Sequence, residues 1–214
     1  MTRHNGVQGS QQWHLPGSDS TTHNGKKGNG NKEQGKGRDN SLARQIGEYL
    51  VCAELGRRGI LATSFAGNVP TFDLLVADKY GHAIPIQVKA SRGDSWPSEI
   101  TKWADVDFNA TTGEQKLIGP KAIPSDLIYV CVAIAPLGSQ SKDRYFILTM
   151  GDVQEACIKT HFGWIADHGG KRPRKPESFH CKYEIKDIAQ FEDNWQLIAN
   201  RLAPAGIATA ATMK

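Results

Sequence analysis

The spacing of apolar residues predicts a helix followed by three strands in the first half of the folded region. In SLARQIGEYLVCAELGRRGI, apolar residues recur every three or four positions, which predicts a helix with its N-cap at Ser41 and its end at Gly59. Two short apolar runs, ILATSFAG and FDLLVAD, predict the next two strands. The turn-forming residues DKYGH then lead into a third strand, AIPIQVKAS.

The second half of the chain continues with two strands and two helices. The near-continuous apolar run DLIYVCVAIA predicts a strand buried on both faces, with DRYFILTM as the strand after it. GDVQEACIKTHFGW predicts a helix with Asp152 near its start, and DIAQFEDNWQLIANRL predicts a closing amphipathic helix. Residues 91–125 are polar, and we expect a long excursion with little regular structure there. This order predicts an α/β fold with a mixed central β-sheet flanked by helices.

Composition divides the chain into one domain and two tails. Residues 1–40 contain almost no aliphatic side chains and several loose cations, so we expect a disordered, basic, low-complexity tail. A single domain is expected over residues 41–203, which suits a chain of 214 residues. Residues 204–214 are rich in Ala, Gly and Thr and are expected to form a flexible C-terminal tail.

Charge and cysteine content narrow the class of protein. With 26 Lys and Arg against 22 Asp and Glu, the net charge is +4, which permits a polyanionic partner without requiring one. The four cysteines form no CxxC pair, which is typical of reduced thiols in a cytoplasmic protein. No apolar run is long enough for a membrane span and the N-terminus is polar, so neither a membrane partner nor a secretory signal is expected.

Polar side chains interrupt the second and third predicted strands. Asp73 lies near the start of FDLLVAD, whereas Gln87 and Lys89 lie two positions apart in AIPIQVKAS and therefore share one face of their strand. Because the two strands are adjacent, we expect the three side chains to converge at one end of the sheet. Burying an acid, an amide and an ammonium together is unfavourable unless they satisfy one another or a metal ion.

Glu48 adds a second carboxylate to this set, because it shares its side of the first helix with apolar residues. Two partly buried carboxylates repel each other and favour a cation between them. Asp73, Glu48, the amide oxygen of Gln87 and the backbone carbonyl of Val88 form an oxygen ligand set that suits Mg²⁺ or Mn²⁺. Such an ion would lower the pKa of a bound water and offset charge on an attacked phosphate, with Lys89 placed to orient the water.

Three segments between residues 41 and 150 resemble one known family. QIGEYLVCAELGRRG, PTFDLL and IQVKAS are similar to the acidic helix, the Asp-bearing strand and the (D/E)xK strand of the PD-(D/E)XK nuclease superfamily, which has the restriction-endonuclease-like fold. The resemblance implies a metal-dependent nuclease, with DNA expected over RNA and with Glu48, Asp73, Gln87 and Lys89 as catalytic residues. Gln87 stands where the motif has an acid, and Mrr-type restriction endonucleases are similar in carrying QxK. The missing negative charge is expected to weaken metal binding.

Six further residues are candidates for contacts with nucleic-acid phosphates. They flank the expected site and consist of five cations and one hydroxyl: Arg57, Arg58, Ser91, Arg92, Lys102 and Lys121. Contacts of this kind strengthen binding without reading a base sequence. Glu54 is the rival carboxylate to Glu48 on the same helix, but its spacing from Arg57 and Arg58 is that of a solvated ion pair. A homodimer is compatible with cleavage of two strands.

Other interpretations stay open at the level of sequence. The chain is also compatible with a non-catalytic nucleic-acid-binding protein that keeps the fold, with a protein–protein interaction module, and with an RNA-directed nuclease. Trp96 and Trp103 either stack on bases or pin a loop to the core, and KRPRK at 171–175 either follows a nucleic-acid backbone or is a solvated loop. A zinc site would draw on residues whose spacing matches no common zinc motif: Cys157, His161, His180 and Cys181.

Overall fold

A computed structural model of the chain describes residues 30–65 and 71–203, with side chains from residue 39 onward. The helices of this part are α1 (Gly30–Arg57), α2 (Met150–Asp167), α3 (Ile185–Ile188) and α4 (Gln196–Leu202). The strands are β1 (Leu61–Ser64), β2 (Leu74–Ala77), β3 (Ala83–Ser91), β4 (Ser95–Glu99), β5 (Ala104–Phe108), β6 (Gln115–Pro120), β7 (Ile128–Ala133), β8 (Arg144–Thr149) and β9 (His180–Glu184).

A five-stranded mixed sheet forms the centre of the fold. Its strand order is β1-β2-β3-β7-β8, and every neighbouring pair is antiparallel except β3 and β7, which are parallel. All residues of β7 are buried, as the sequence predicts for the run DLIYVCVAIA. The α/β class and the mixed central sheet are therefore confirmed.

Apolar side chains cover both faces of this sheet. Val51 and Leu55 of α1 pack with Val130 of β7 on one face. Cys131, the next residue of β7, packs with Val153 of α2 on the other face. Because successive side chains of a strand alternate between faces, neighbouring residues of β3 and β7 likewise point into different layers. Helices thus flank the sheet on both sides.

Helix α1 differs from the prediction at its start and agrees with it at its end. The helix begins at Gly30, so the predicted N-cap at Ser41 is wrong. Lys, Glu, Gln and Arg upstream of Ser41 have good helix propensity, which supports the extra turns although this segment lacks an apolar stripe. At the other end, Gly59 adopts φ +73° and the N–H of Ile60 donates to the carbonyl of Leu55 at 3.0 Å. A left-handed glycine ends the helix there, as predicted.

Most of the two expected tails lies outside the described residues, which exclude 1–29 and 204–214. Residues 30–40, which the sequence assigned to the N-terminal tail, belong to α1. In the part of the chain that the structure describes, none of the helices combines the length and the apolar character that a bilayer crossing requires.

Residues 91–125 contain regular structure, so the predicted excursion is wrong. β4 pairs with β9 from far along the chain, and β5 and β6 form a hairpin whose turn is built on the Asn109 side chain. Trp96 and Trp103 are 2% and 5% exposed, so both pin this region to the core and neither is open to a base. The pairing of β4 with a distant strand leaves no local signal, and β5 reads as polar because one face of the hairpin is solvated.

The predicted closing helix is divided into α3, a 3₁₀ turn (Ala189–Phe191) and α4. Between the turn and α4, the N–H of Asp193 donates to a carbonyl of the edge strand β8 at 2.8 Å. Arg144 of β8 holds Glu192 with two hydrogen bonds of 2.6 and 2.7 Å. Pairing with the open edge of β8 therefore outweighs the helical periodicity of DIAQFEDNWQLIANRL.

Helix α1 lies closest to the sheet at Gly47. A Cβ atom at Gly47 would clash with the Cβ of Ala90 and lie 3.5 Å from Cγ1 of Val88. We expect Gly47→Ala to lower the free energy of unfolding by about 1–3 kcal/mol, because α1 must move away from β3. Gly56→Ala is the matched control on the same helix, since nothing lies within 4 Å of its Cβ position. It is expected to raise the free energy of unfolding by up to about 1 kcal/mol.

Urea unfolding of both alanine variants and the wild type measures this difference. A Gly47→Ala variant as stable as Gly56→Ala would contradict the close packing of α1 on β3.

Candidate active site

Strand β3 extends beyond its antiparallel neighbour β2. The first residue of β2, Leu74, pairs with Ile86, so the later part of β3 has no strand on that side. The residue before β2 fills the gap. The N–H of Asp73 donates to the carbonyl of Ile86 at 2.9 Å, and its carboxylate Oδ2 accepts from the N–H of Val88 at 2.8 Å. The Asp73 side chain thus replaces a strand partner at the point where the ladder stops.

Gln87 binds the same carboxylate oxygen. Its Nε2 donates to Oδ2 of Asp73 and lies 3.4 Å from the carbonyl oxygen of Val88. Because Gln87 is only 9% exposed, this bond gives a buried amide its partner. A carboxylate at position 87 would repel Asp73, whereas the amide nitrogen donates to it.

Two oxygen atoms beside this bond have capacity for another group, although the carbonyl oxygen of Val88 already accepts the 3.4 Å bond from Gln87. Among the described residues, the hydrogen bonds to the Asp73 carboxylate all reach Oδ2 and none reaches Oδ1. The carbonyl of Val88 lies on the same edge of β3 as its N–H, which points to Asp73, because both groups of a strand residue face the same side. Carboxylate and carbonyl oxygens are the ligands that hard divalent cations prefer.

Glu48 faces this point from α1. Its side chain is 17% exposed, and its carboxylate lies 3.7 Å from the guanidinium of Arg44. Burial and the Asp73 carboxylate raise the pKa of Glu48, whereas Arg44 and Lys89 lower it. The structure therefore brings the two predicted carboxylates and the predicted lysine within electrostatic range of one another.

Lys89 lies on the same face of β3 as Gln87. Its side chain is exposed to solvent, yet burial lowers the pKa of its ammonium, against the raising effect of the Asp73 carboxylate. Lys102 and Arg44 are near enough to lower the pKa of Lys89 further.

Tyr129 and Cys131 adjoin the site, and the sequence did not single them out. Tyr129 pairs in register with Gln87, and Cys131 pairs with Lys89, across the parallel β3–β7 ladder. Burial raises the pKa of Tyr129 to about 12, with smaller contributions from the neighbouring Cys131 and Asp73. Its hydroxyl therefore stays protonated and can donate a hydrogen bond. Only the register of β7 on β3 identifies these two residues, because DLIYVCVAIA reads as uniformly buried.

Two of the six candidate phosphate contacts lie away from this point. Arg57 and Arg58 both pair with Glu54, and Arg58 also lies over the Trp195 ring at 4.5 Å from its centre. They follow Glu48 by nine and ten residues, which is roughly 14 Å along a helix. The structure therefore does not bring them to the candidate site.

The other four candidates lie around the end of β3. The hydroxyl of Ser91 accepts from a backbone N–H two residues on at 3.1 Å, and Arg92 lies 4.0 Å from an aspartate of α1. Lys102 is close enough to lower the pKa of Lys89. Lys121 donates to the carbonyl of the residue before Lys102 at 2.7 Å and lies 3.7 Å from the carboxylate of Asp105, so an acid already offsets its charge. Their contact with phosphate stays a prediction.

Within residues 39–65 and 71–203, no three His, Cys, Asp or Glu side chains are grouped closely enough to hold a metal ion. The zinc alternative therefore has no support there, and His161 instead lies 3.0 Å from the amide oxygen of Gln115. The candidate set at Asp73 is of another kind, because it combines two carboxylates with amide and carbonyl oxygens.

An open pocket of about 410 Å³ lies near the start of β3. Its walls are mainly apolar, with the Asp126–Arg201 ion pair of 3.1 Å among them. None of the candidate catalytic residues lines this pocket, so the polar site is separate from it.

No protein-family model, curated protein or solved structure matches the chain.

Replacing Gln87 with glutamate tests whether the carboxylates around Asp73 bind a cation. We expect Gln87→Glu to lower the free energy of unfolding in EDTA by about 1–3 kcal/mol, because Asp73 loses a donor and gains a neighbouring like charge. Saturating Mn²⁺ should restore most of this loss, because an ion that binds only the folded state stabilises it. Urea unfolding with and without Mn²⁺ measures both effects.

Gln115→Glu is the matched control, because Gln115 is also buried but donates to two backbone carbonyls at 2.6 and 3.1 Å. We expect this variant to be destabilised without any rescue by Mn²⁺. Equal effects of Mn²⁺ on the two variants, or none on Gln87→Glu, would contradict a cation site at Asp73.

Proposed function

We propose that the chain is a metal-dependent nuclease that hydrolyses phosphodiester bonds of nucleic acid, with DNA as the expected substrate and endonucleolytic attack as the expected mode. The observation that carries this proposal is the convergence of Glu48, Asp73, Gln87 and Lys89 where β3 passes the start of β2. Two neighbouring carboxylates beside an ammonium whose pKa is lowered are typical of functional chemistry.

Oxygen ligands for an ion are present in this set. Asp73 through Oδ1, Glu48, the amide oxygen of Gln87 and the carbonyl of Val88 are the groups that would hold Mg²⁺ or Mn²⁺. When bound, such an ion supplies an activated water and offsets negative charge on the phosphate. Gln87 has two roles here, because its Nε2 fixes the orientation of Asp73 while its oxygen is a neutral ligand.

Lys89 supplies the positive charge on the substrate side. Desolvation strengthens the hydrogen bonds that its ammonium donates to a water or to a phosphate oxygen in the transition state. The lowered pKa also makes the neutral amine accessible at a less alkaline pH, as a proton acceptor for the attacking water. Tyr129, protonated and adjacent to Gln87, is a further donor to a substrate oxygen.

The resemblance to the PD-(D/E)XK superfamily supports the same assignment. Helix α1 carries Glu48, Asp73 directly precedes β2, and β3 carries Gln87 and Lys89, which is the order that the family motif implies. Fold resemblance alone does not establish chemistry, so the proposal depends on the geometry of these side chains.

A nucleic-acid-binding protein without catalysis is the second candidate. One observation favours it: Gln87 already donates to Asp73, so the acid has a partner without an ion. Such a protein would bind nucleic acid in EDTA and would not cleave it, whichever metal ion is added.

A cleavage assay separates these two functions. We expect the wild type to cut nucleic acid with Mg²⁺ or Mn²⁺ and not in EDTA. Asp73→Asn keeps an acceptor for the N–H of Val88 but removes the charge, and Lys89→Met removes the ammonium. Each variant is expected to lose at least roughly 100-fold in rate, the size of effect seen when a transition-state contact is removed. Duplex, branched and single-stranded DNA and RNA as parallel substrates identify the substrate class.

Asp167→Asn and Lys142→Met are the matched controls, because both side chains are exposed and distant in sequence from the site. They are expected to cleave at the wild-type rate. Cutting that survives Asp73→Asn would overturn the proposed site, and binding without cutting under any metal would favour the second candidate.

A further inference from the structure

The loop between α2 and β9, residues 168–179, is here named the basic loop, and a buried polar network holds it. Gln115 of β6 is 2% exposed, and its Nε2 donates to the carbonyls of Pro176 and Ser178 at 2.6 and 3.1 Å. Its Oε1 lies 3.0 Å from Nε2 of His161, which is 4% exposed on α2. Since an amide oxygen only accepts, the hydrogen of this bond lies on the histidine.

Further contacts fix the backbone of the basic loop. The N–H of Gln115 donates to the carbonyl of Gly170 at 2.9 Å. A Cβ at Gly113 would lie 2.8 Å from the Cβ of Pro176, so the β5–β6 turn packs directly on the loop. Lys175 adopts φ +52°, a left-handed conformation that such packing must enforce. A loop held in this way has little backbone entropy left to lose when it binds a ligand.

The cations of the basic loop form no ion pair with an acid in the part of the chain that the structure describes. The loop has four cations against the single carboxylate of Glu177. Arg172 serves the structure, because it donates to a backbone carbonyl of β9 and lies over the Trp164 ring at 5.3 Å. Among the ion pairs between described residues, none includes the other three cations, which are all exposed: Lys171, Arg174 and Lys175.

Trp164 beside the basic loop is 41% exposed, but protein groups occupy its ring. His168 stacks on it with the ring centres 4.0 Å apart, and Arg172 lies over it as well. The ring therefore supports Arg172 through a cation–π contact and is not a free platform for a base. This surface offers positive charge without a group that reads bases.

Strand β6 runs from the basic loop toward the segment that carries Lys102. Gln115 begins β6 and holds the loop, whereas Lys121 follows β6 and donates to the carbonyl of Thr101, the residue before Lys102, at 2.7 Å. The extended strand between Gln115 and Lys121 is about 20 Å long.

We propose that the basic loop is a second binding site for the phosphodiester backbone of the nucleic acid, away from the cleaved phosphate. The identity of this polyanion rests on the proposed function. Lys171, Arg174 and Lys175 contact phosphates and release counterions, and they read no base sequence.

The salt dependence of binding tests this site. Fluorescence anisotropy in EDTA measures Kd for a duplex of about two helical turns, roughly 20 base pairs, over a series of KCl concentrations. The triple variant is Lys171→Gln, Arg174→Gln and Lys175→Asn, in which asparagine tolerates the left-handed backbone. Loss of three phosphate contacts should reduce the slope of log Kd against log salt by about 2–3. Cleavage at saturating substrate should stay at the wild-type rate.

The matched control removes the same charge elsewhere, at three exposed lysines: Lys79→Gln, Lys142→Gln and Lys186→Gln. We expect its slope to change by less than about 1.

Equal slopes in the two triple variants, with wild-type binding intact, would overturn the loop site and leave the nuclease proposal standing. A reduced slope in the loop variant, with no cleavage by the wild type, would support the loop site and overturn the catalysis. If the loop cations bind polyglutamate as tightly as the duplex, nucleic acid is not the ligand of the loop. If the wild type does not bind the duplex at all, both proposals are wrong.

Discussion

The N–H of Val88 needs an acceptor inside the sheet, and the Asp73 carboxylate is that acceptor. Strand β2 begins too late to provide one, so an ionised side chain stands where a backbone carbonyl would otherwise lie. The remaining polar residues follow from this charge. Gln87 donates a hydrogen bond to the Asp73 carboxylate. The charge of this carboxylate raises the pKa of Lys89, against the effect of burial, and it raises the pKa of Glu48. The candidate active site is thus the consequence of one interrupted ladder.

Two buried glutamines organise the polar regions of the molecule. Gln87 directs its amide nitrogen to a carboxylate, and Gln115 directs its own to two carbonyls of the basic loop. Gln87 fixes the carboxylate of Asp73, and Gln115 fixes the loop that carries the lysines and arginines. A set of oxygen ligands in one region and a cationic surface in the other are the groups that the proposed nucleic-acid substrate would require.

Local signals in the sequence predict the candidate site well. The bounds of β3 coincide with AIPIQVKAS, because the turn before it is built locally: Asp78 accepts from the N–H groups of Tyr80 and His82. The alternation of side chains then places Gln87 and Lys89 on one face. The β2–β3 hairpin brings these two side chains close to Asp73. The helical wheel of α1 places Glu48 on the side of the helix that faces the sheet.

Long-range pairing explains what the sequence did not predict. β4 finds its partner β9 about 85 residues later in the chain, and no pattern in residues 91–125 records this. The edge of β8 interrupts the closing helix through Asp193 and Arg144, although that helix has a regular apolar spacing. Tyr129 belongs to the site only through the parallel register of β7 on β3. These features depend on which strands meet, and that is decided by the packing of the whole domain.

A crystal structure of the wild type grown with Mn²⁺ tests the central claim most directly, because the anomalous signal of manganese locates the ion independently of activity. We expect one ion bound by Oδ1 of Asp73, the carbonyl oxygen of Val88 and the amide oxygen of Gln87, each at about 2.2 Å, with Glu48 turned toward it. The bond from Gln87 to Oδ2 of Asp73 should persist. A crystal that shows no anomalous peak at Asp73 under saturating Mn²⁺, with the Asp73–Gln87 bond unchanged, would contradict a metal site there.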